Sequence, residues 1–376
     1  MFKRSKPVFC ECKTQQPQSP HDKRHARQSM LKTMPRVPRS RNASAKPHGE
    51  LALIERIRQR AASSGSSAVR LGIGDDCAIL QPRANEELLV TTDFSLEGRH
   101  FRRDWHSPQS VGHRTLARGL SDLAAMGARP LAAFLSLALP RNVARNLRWL
   151  DGFLGGFVGL AAASSAPLAG GDTSESPSEH ILADVVLLGA APRGKSLRRS
   201  GAKPGDLLYC TGSLGGAAAE LALLSKSPRR FRTATPADNH PHLFPVPRLA
   251  QGQTLLRRKL ATACMDISDG LSTDLAHLCE ASGVSAKVEA AKLPLHPLAQ
   301  QLSKESALAA ALHGGEDYEL LFTANAATKM PKSLAGIPIT HIGRIIPSRK
   351  NKPQVTLIDD NGSRSALAPQ GWEHLR

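Results

Sequence analysis

A chain of 376 residues with 41% apolar residues and only 4% aromatics is long enough for one large domain or two ordinary ones, with a core of Ala, Leu, Val and Ile. No apolar run approaches the roughly 18–20 residues that span a bilayer, which argues against a membrane-spanning helix and predicts a soluble, cytoplasmic protein. The formal charge of +18 would point to nucleic acid if it covered the fold, but about 12 Lys and Arg against Glu11 and Asp22 place roughly +10 of it in residues 1–47.

In chain order, residues 1–48 read as a disordered basic tail, rich in Pro, Ser, Gln and His and without apolar periodicity. The tail has no apolar core of a secretory signal. Its Arg-rich make-up fits an organellar presequence or an over-extended start, with Met30 and Met34 as later starts. Cys10 and Cys12, near His21 and His25, lack the second ligand pair of a zinc site. Nucleic-acid binding is expected, if anywhere, through this tail. Cys77, Cys210, Cys264 and Cys279 stand singly in apolar stretches, as buried thiols do in a reducing compartment.

The folded part begins near Gly49, where Leu51, Leu53, Ile54, Ile57 and Ala61 recur at helical spacing. A Gly/Asp loop at 72–76 precedes strands at 77–80 and 88–92. Ser107 and Pro108 predict the start of a helix over 108–126, which Gly127 ends. A strand at 132–139, a helix over 145–163 and a strand at 183–188 complete a first α/β unit, 49–191. A hinge at 191–205 leads into a second unit, 192–376. It holds a strand at 207–211, a helix at 217–224, a Pro/His-rich connection at 227–247, a helix at 249–259, a loop at 266–270, a helix at 272–281 and strands at 286–289 and 318–323.

Chemistry concentrates in aspartates set among Gly and apolar residues: Asp75 and Asp76, Asp93, Asp122, Asp172, Asp266 and Asp269. Asp93 and Asp172 follow apolar segments and read as strand-end residues. Burying such carboxylates needs a counterion, and few have a Lys or Arg beside them in sequence. Clustered oxygen ligands select a hard ion, most simply Mg²⁺, which bridges substrate phosphates. Each residue also has a structural role open to it: Asp269 as a helix cap, Asp75 in a turn. Asp122, near the C-terminal end of its helix, opposes the helix dipole. Three Gly-rich turns, at 72–76, 170–173 and 212–216, could offer backbone N–H groups to phosphate. Gly189 to Ser196 satisfies the GxxxxGK[ST] pattern, but the helix that a P-loop requires is missing, so the match reads as chance.

In order, the runs GIGDDCAIL, TTDFSLEGRHF, LSDLAAMGARP, GGDT, LRRSGAKPGDLLYCTGSLGG, MDISDGLSTDLAHLCEASG and GGEDYELLFT resemble the thiamine-monophosphate kinase family across nearly the whole body. That resemblance implies a two-domain α/β fold like aminoimidazole ribonucleotide synthetase, with an N-terminal domain that dimerises through a β-barrel. It implies ATP-dependent phosphorylation of thiamine monophosphate to thiamine diphosphate. Asp76, Thr91, Thr92, Asp93, Asp122, Asp172, Asp266 and Asp269 would organise Mg²⁺, with Asp76, Asp122 and Asp269 central to catalysis. Gly171, Arg199 and Ser268 would contact ATP, and His100 and Glu316 would face the thiamine phosphate. The alternative is another ATP-dependent member of the same superfamily with a different acceptor. Gly119, Phe94, Ser174, Glu175 and Pro369 depart from the family pattern, and Trp372 stands where it could compensate for Pro369.

Overall fold

The computed structural model describes residues 50–61, 67–348 and 352–371; the basic tail with Cys10 and Cys12, and Trp372, lie outside them. Helix α1 (Glu50–Ala61) buries Ile57 and Ala61, and is followed by the short antiparallel pair β1 (Val69–Leu71) and β2 (Ile79–Leu80). The next long segment is β3 (Glu86–Leu96). Its residues alternate as a strand with one buried face must: Leu89 and Ser95 are buried and Thr91 and Asp93 half-buried, while Leu88, Val90, Thr92 and Phe94 are mostly exposed or partly so on the other face.

Helix α2 (Pro108–Ala125) begins as its sequence predicts, with Ser107 Oγ accepting from Ser110 N and Pro108 at the first position. It is followed by β4 (Arg129–Leu139), α3 (Arg141–Ala144), α4 (Leu147–Ala163), β5 (Leu168–Glu175) and β6 (Leu182–Pro192). The predicted helix over 145–163 is interrupted, because Asn146 leaves the helix and caps α4 by accepting from Trp149 N. Strands β3, β6, β4 and β5 form an open sheet in that order, with only the β4–β5 pair parallel. Helices α2 and α4 cover one face, where Leu116, Leu120, Phe153, Phe157, Val185 and Leu187 make a core.

Two predictions are corrected here. Asp93 sits inside β3, not at its end, because Asp93, Phe94, Ser95 and Leu96 all remain paired with β6. The GGDT segment is strand, not turn: it pairs with β4, and a Cβ on Gly171 would fall 1.9 Å from the Leu135 carbonyl oxygen.

The second sheet is built from β7 (Leu207–Thr211), β8 (Ala263–Ile267), β9 (Val284–Glu289), β10 (Glu319–Ala324), β11 (Ser333–Leu334), β12 (Ile337–Pro347), β13 (Val355–Ile358) and β14 (Arg364–Ala366). Its order is β14-β13-β9-β12-β7-β10-β8, with β11 beside β12. Helices α5 (Gly216–Lys226), α6 (Leu249–Arg257), α7 (Leu271–Ser282), α8 (Pro297–Gln300) and α9 (Lys304–His313) complete this part. Strand β8 is entirely buried, so Asp266 lies within a strand and not in the loop at 266–270. No described helix is long and apolar enough to cross a membrane.

Candidate active site

One face of α2 carries Arg114, Arg118 and Asp122 at i, i+4 and i+8, a charged stripe on a helix that is otherwise largely apolar and buried. The stripe meets the inward side chains of β3 and the end of β8. Together they enclose a cavity of about 350 Å³ whose lining includes Asp93, Asp122, Asp266, Asp269, Arg118 and Glu316. Four of the expected metal ligands are thereby brought to one place, together with His100, Ser268 and Glu316.

The carboxylates repel one another. Asp93 is pushed up to about 7 by burial and by the Asp122 charge, with Arg118 pulling it back. Asp266 is pushed up to about 6 by burial and again by Asp122, although Ser121 Oγ donates to it at 2.6 Å. Thr91 Oγ1 donates to Asp122, while Asp93 Oδ2 is buried without a hydrogen-bond partner. An orphaned buried carboxylate oxygen beside two further carboxylates is the setting a divalent cation relieves. Among the described residues, no group of three His, Cys, Asp or Glu side chains is arranged to hold a metal as it stands. Magnesium keeps waters and takes phosphate oxygens, so one or two of these carboxylates suffice and the donor set fits it.

The cluster is not without cations, as the sequence neighbours implied. Arg118 Nε lies 3.8 Å from Asp93, and Arg114 Nη2 donates to Glu316 at 2.8 Å. Burial opposes ionisation of Glu316, but Arg114, His242 and Arg118 outweigh it and hold the carboxyl well below its ordinary value. Arg114 also donates to the backbone carbonyls of His242 and His100, so it ties three segments together. His100 Nδ1 in turn accepts from Leu96 N at 2.9 Å. Neither Arg114, Arg118 nor His242 was singled out from sequence. The i, i+4, i+8 spacing was the available signal for the helix residues; nothing local marks His242, which arrives from the 227–247 connection.

The loop carrying Ser268 and Asp269 is shaped by a residue that sequence reasoning also missed. Asp274 Oδ2 accepts from the backbone N–H groups of Ser268, Asp269 and Gly270 at 3.0–3.1 Å. Gly270, not Asp269, occupies the N-cap position of α7. Asp269 is therefore not the helix cap. Across the loop, Glu316 N donates to Ser268 O, and Glu316 and Tyr318 both take left-handed backbone conformations, φ 69° and 50°. Such geometry in non-glycine residues is strained and clusters at functional sites.

Other expected residues lie elsewhere. Asp76, Gly171 and Asp172 line a separate cavity of about 640 Å³, with the Gly72–Cys77 loop. Asp172 is opposite Ser136, Ser136 opposite Asp184, and Asp184 opposite Phe94, so three strand spacings, roughly 14 Å, separate it from the neighbourhood of Asp93. One ion cannot take both sets as ligands within a single chain. Thr92 points to the opposite face of β3 from Thr91 and donates to Asp184 at 2.8 Å. Arg199 lines a third cavity, with Thr91, Asp122 and Asp266.

The 212–216 turn is not a phosphate cradle, because its N–H groups are already used. Gly215 N and Ala217 N donate to Asp317, Ser213 N points to Glu319, and Leu214 N donates to Pro294 O. The GxxxxGK[ST] match is closed in the same way: Gly194 N and Ser196 Oγ donate to Glu87, and no helix follows. Of the departures, Glu175 pairs with the exposed Arg141, and a Cβ on Gly119 would approach Asp93 Oδ2 to 3.4 Å.

The N-terminal domain of AIR synthase related proteins matches residues 74–191, and the C-terminal domain of the same group matches residues 203–355. Thiamine-monophosphate kinase of Escherichia coli (strain K12) is 40% identical over 306 residues, 79% of this chain and 90% of that protein. The crystal structure of thiamine-monophosphate kinase from Stenotrophomonas maltophilia K279a aligns with a TM-score of 0.72 at 39% identity, covering 84% of this chain and 98% of that one. The structure of AaThiL complexed with AMPPCP and TMP aligns with a TM-score of 0.66 at 31% identity, covering 89% and 100%.

Proposed function

Since this chain belongs to the thiamine-monophosphate kinase family, we propose that it transfers the terminal phosphoryl group of ATP to thiamine monophosphate, giving thiamine diphosphate. The observation that carries this reading is the cavity in which Asp93, Asp122, Asp266 and Asp269 face Arg118 and Glu316. A relative of the same fold has been solved with an ATP analogue and TMP.

In this reading Asp93, Asp122, Asp266 and Asp269, with Thr91, hold Mg²⁺, which supplies charge neutralisation for the phosphates. Asp76, Thr92 and Asp172 belong to the same expected ligand set; Gly171, Arg199 and Ser268 bind ATP, and His100 and Glu316 face the acceptor. The acceptor phosphate is ionised at neutral pH, so no strong general base is required. Positioning by side chains that are themselves held, such as Glu316 by Arg114 and the 268–270 loop by Asp274, supplies the rest.

The two-domain division at 191/192 and a homodimer are part of the same proposal. The face of the first sheet away from α2 and α4 carries the exposed Leu88, Val90 and Phe94 of β3. A sheet face of that kind needs a cover, and a second copy is the occupant we infer. Such a copy would also supply a second Asp76–Asp172 set, which one chain keeps apart from Asp93.

The test is direct: purified protein with ATP, Mg²⁺ and thiamine monophosphate, followed for thiamine diphosphate. Product that vanishes on adding EDTA supports the reaction and its metal. A folded protein that binds ATP yet yields no product would show that the acceptor is wrong.

A further inference from the structure

Two guanidinium groups stand one turn apart on the same face of α2, and they differ in how well they are satisfied. Arg114 is firmly held: it donates to Glu316 at 2.8 Å, to His100 O at 3.1 Å and to His242 O, with its side chain only 3% exposed. Arg118 is not. Its Nη1 reaches Glu316 only at 3.3 Å and Tyr318 Oη at 3.4 Å, and its Nε has no hydrogen-bond partner. The Asp93 carboxylate is 3.8 Å from that Nε, beyond hydrogen-bond range. A cavity-lining guanidinium that is 15% exposed, held at Nη1 only by long hydrogen bonds and with its buried Nε unpaired, is free to turn toward an oxyanion.

The cavity itself says which oxyanion. Its lining is acidic at Asp93, Asp122, Asp266 and Asp269 and cationic at Arg99 and Arg118, so an anionic group approaches beside one of those guanidinium groups, and Arg118 is the one that stands on α2 within 3.8 Å of Asp93. Its apolar lining, from α5, is Ala217, Ala218 and Leu221, which suits a ring system and not a phosphate. Arg199, the expected ATP contact, lines the neighbouring cavity, whereas Arg118 does not. We propose that Arg118 is a catalytic residue that binds the phosphate group of the acceptor, turning it toward β3 and α2 while the acceptor's rings lie against α5. The inference rests on the reading that this cavity takes thiamine monophosphate.

The experiment compares thiamine monophosphate with thiamine, which has the rings and no phosphate, in wild-type protein and in Arg118→Ala, Arg118→Gln and Arg118→Lys. Steady-state rates give KM for thiamine monophosphate and for ATP, and thiamine is measured as a competitive inhibitor. The expected result is a loss of thiamine-monophosphate affinity of about 10- to 100-fold in Arg118→Ala and Arg118→Gln, the scale of a lost charge-assisted hydrogen bond. Thiamine inhibition and the KM for ATP should stay within about twofold of wild type, Arg118→Lys should lie between, and added guanidinium ion should partly restore Arg118→Ala. Equal weakening of thiamine and thiamine monophosphate, or a change confined to ATP, overturns the assignment. If Arg118→Ala does not fold, the Gln and Lys variants carry the same comparison. Wild-type protein that forms no thiamine diphosphate, or is not inhibited by thiamine, defeats the reading of the cavity itself; normal wild-type behaviour with unaltered variants defeats only the role of Arg118.

Discussion

Asp122 illustrates what a single residue can disclose. Its place near the C-terminal end of a helix, against the dipole, already marked it in sequence as a residue kept for something other than helix stability. The structure adds that its charge helps push Asp93 and Asp266 above their ordinary values. Removing that charge should therefore relieve repulsion while damaging the metal site. Asp122→Asn and Asp269→Asn are expected to lower turnover by at least ~100-fold, the scale of removing one preorganised electrostatic partner. The thermal midpoint of metal-free Asp122→Asn should be no lower than wild type by calorimetry, and a fall of many degrees would mean that Asp122 is a structural residue. Lys195→Ala is the control: its loop donors go to Glu87, so near-normal activity is expected, and complete loss would reinstate the P-loop. The aspartates were legible because Asp is costly in apolar surroundings. Arg114 and Arg118 were less so, since a basic residue on a helix is usually a solvated one, and only the partner surfaces reveal that these two point inward.

At the scale of elements, helices with both capping signals were read well: α2 starts at Ser107 and Pro108 and ends before Gly127. Strands rich in Gly were not. β5 reads as a turn in sequence because Gly170 and Gly171 dominate it, yet the glycines are there for close approach to β4. The connection at 227–247 carried no periodicity, and its role emerges only where it packs. His242 sits 3.2 Å from Glu316, and His113 on α2 contacts Pro245 O through Nε2 at 2.8 Å. This contact layer predicts a pH dependence. His106 is pushed down to about 2, and His113 and His242 are also lowered, in each case first by burial. The unfolded chain takes up protons at these rings below about pH 6.5 while the folded protein does not. Their contribution to stability is thus complete above about 6.5 and declines as pH falls toward the folded-state values. The thermal midpoint should drop between pH 7 and 5, and His113→Gln, which keeps a donor for Pro245 O without titrating, should show a shallower drop. An unchanged slope in that variant would remove His113 from the account.

For the whole molecule, the decisive fact is that the expected ligand set falls into two groups at opposite sides of one open sheet. Sequence gave no hint of this, because order along the chain says nothing about which edge of a sheet a residue reaches; Asp172 and Asp93 seem equivalent until the strand order β3-β6-β4-β5 separates them by roughly 14 Å. If a second copy covers the apolar face and completes the site, each centre combines Asp172 of one protomer with Asp269 of the other. Asp172→Asn and Asp269→Asn would each be inactive alone. Mixed under conditions that exchange subunits, they would form hybrids with one centre intact, and a 1:1 mixture should recover about a quarter of wild-type activity, since half the dimers are hybrids with one of two sites. Adding Phe94→Glu and Val90→Glu to both chains should abolish the recovery and yield monomers by sedimentation, because two charges would then face each other across the covered sheet. Recovery that persists in monomers would mean that it does not depend on the covered sheet, and would defeat this account of the site. No recovery in a mixture shown to contain hybrid dimers would mean that the second copy covers the sheet without completing the site.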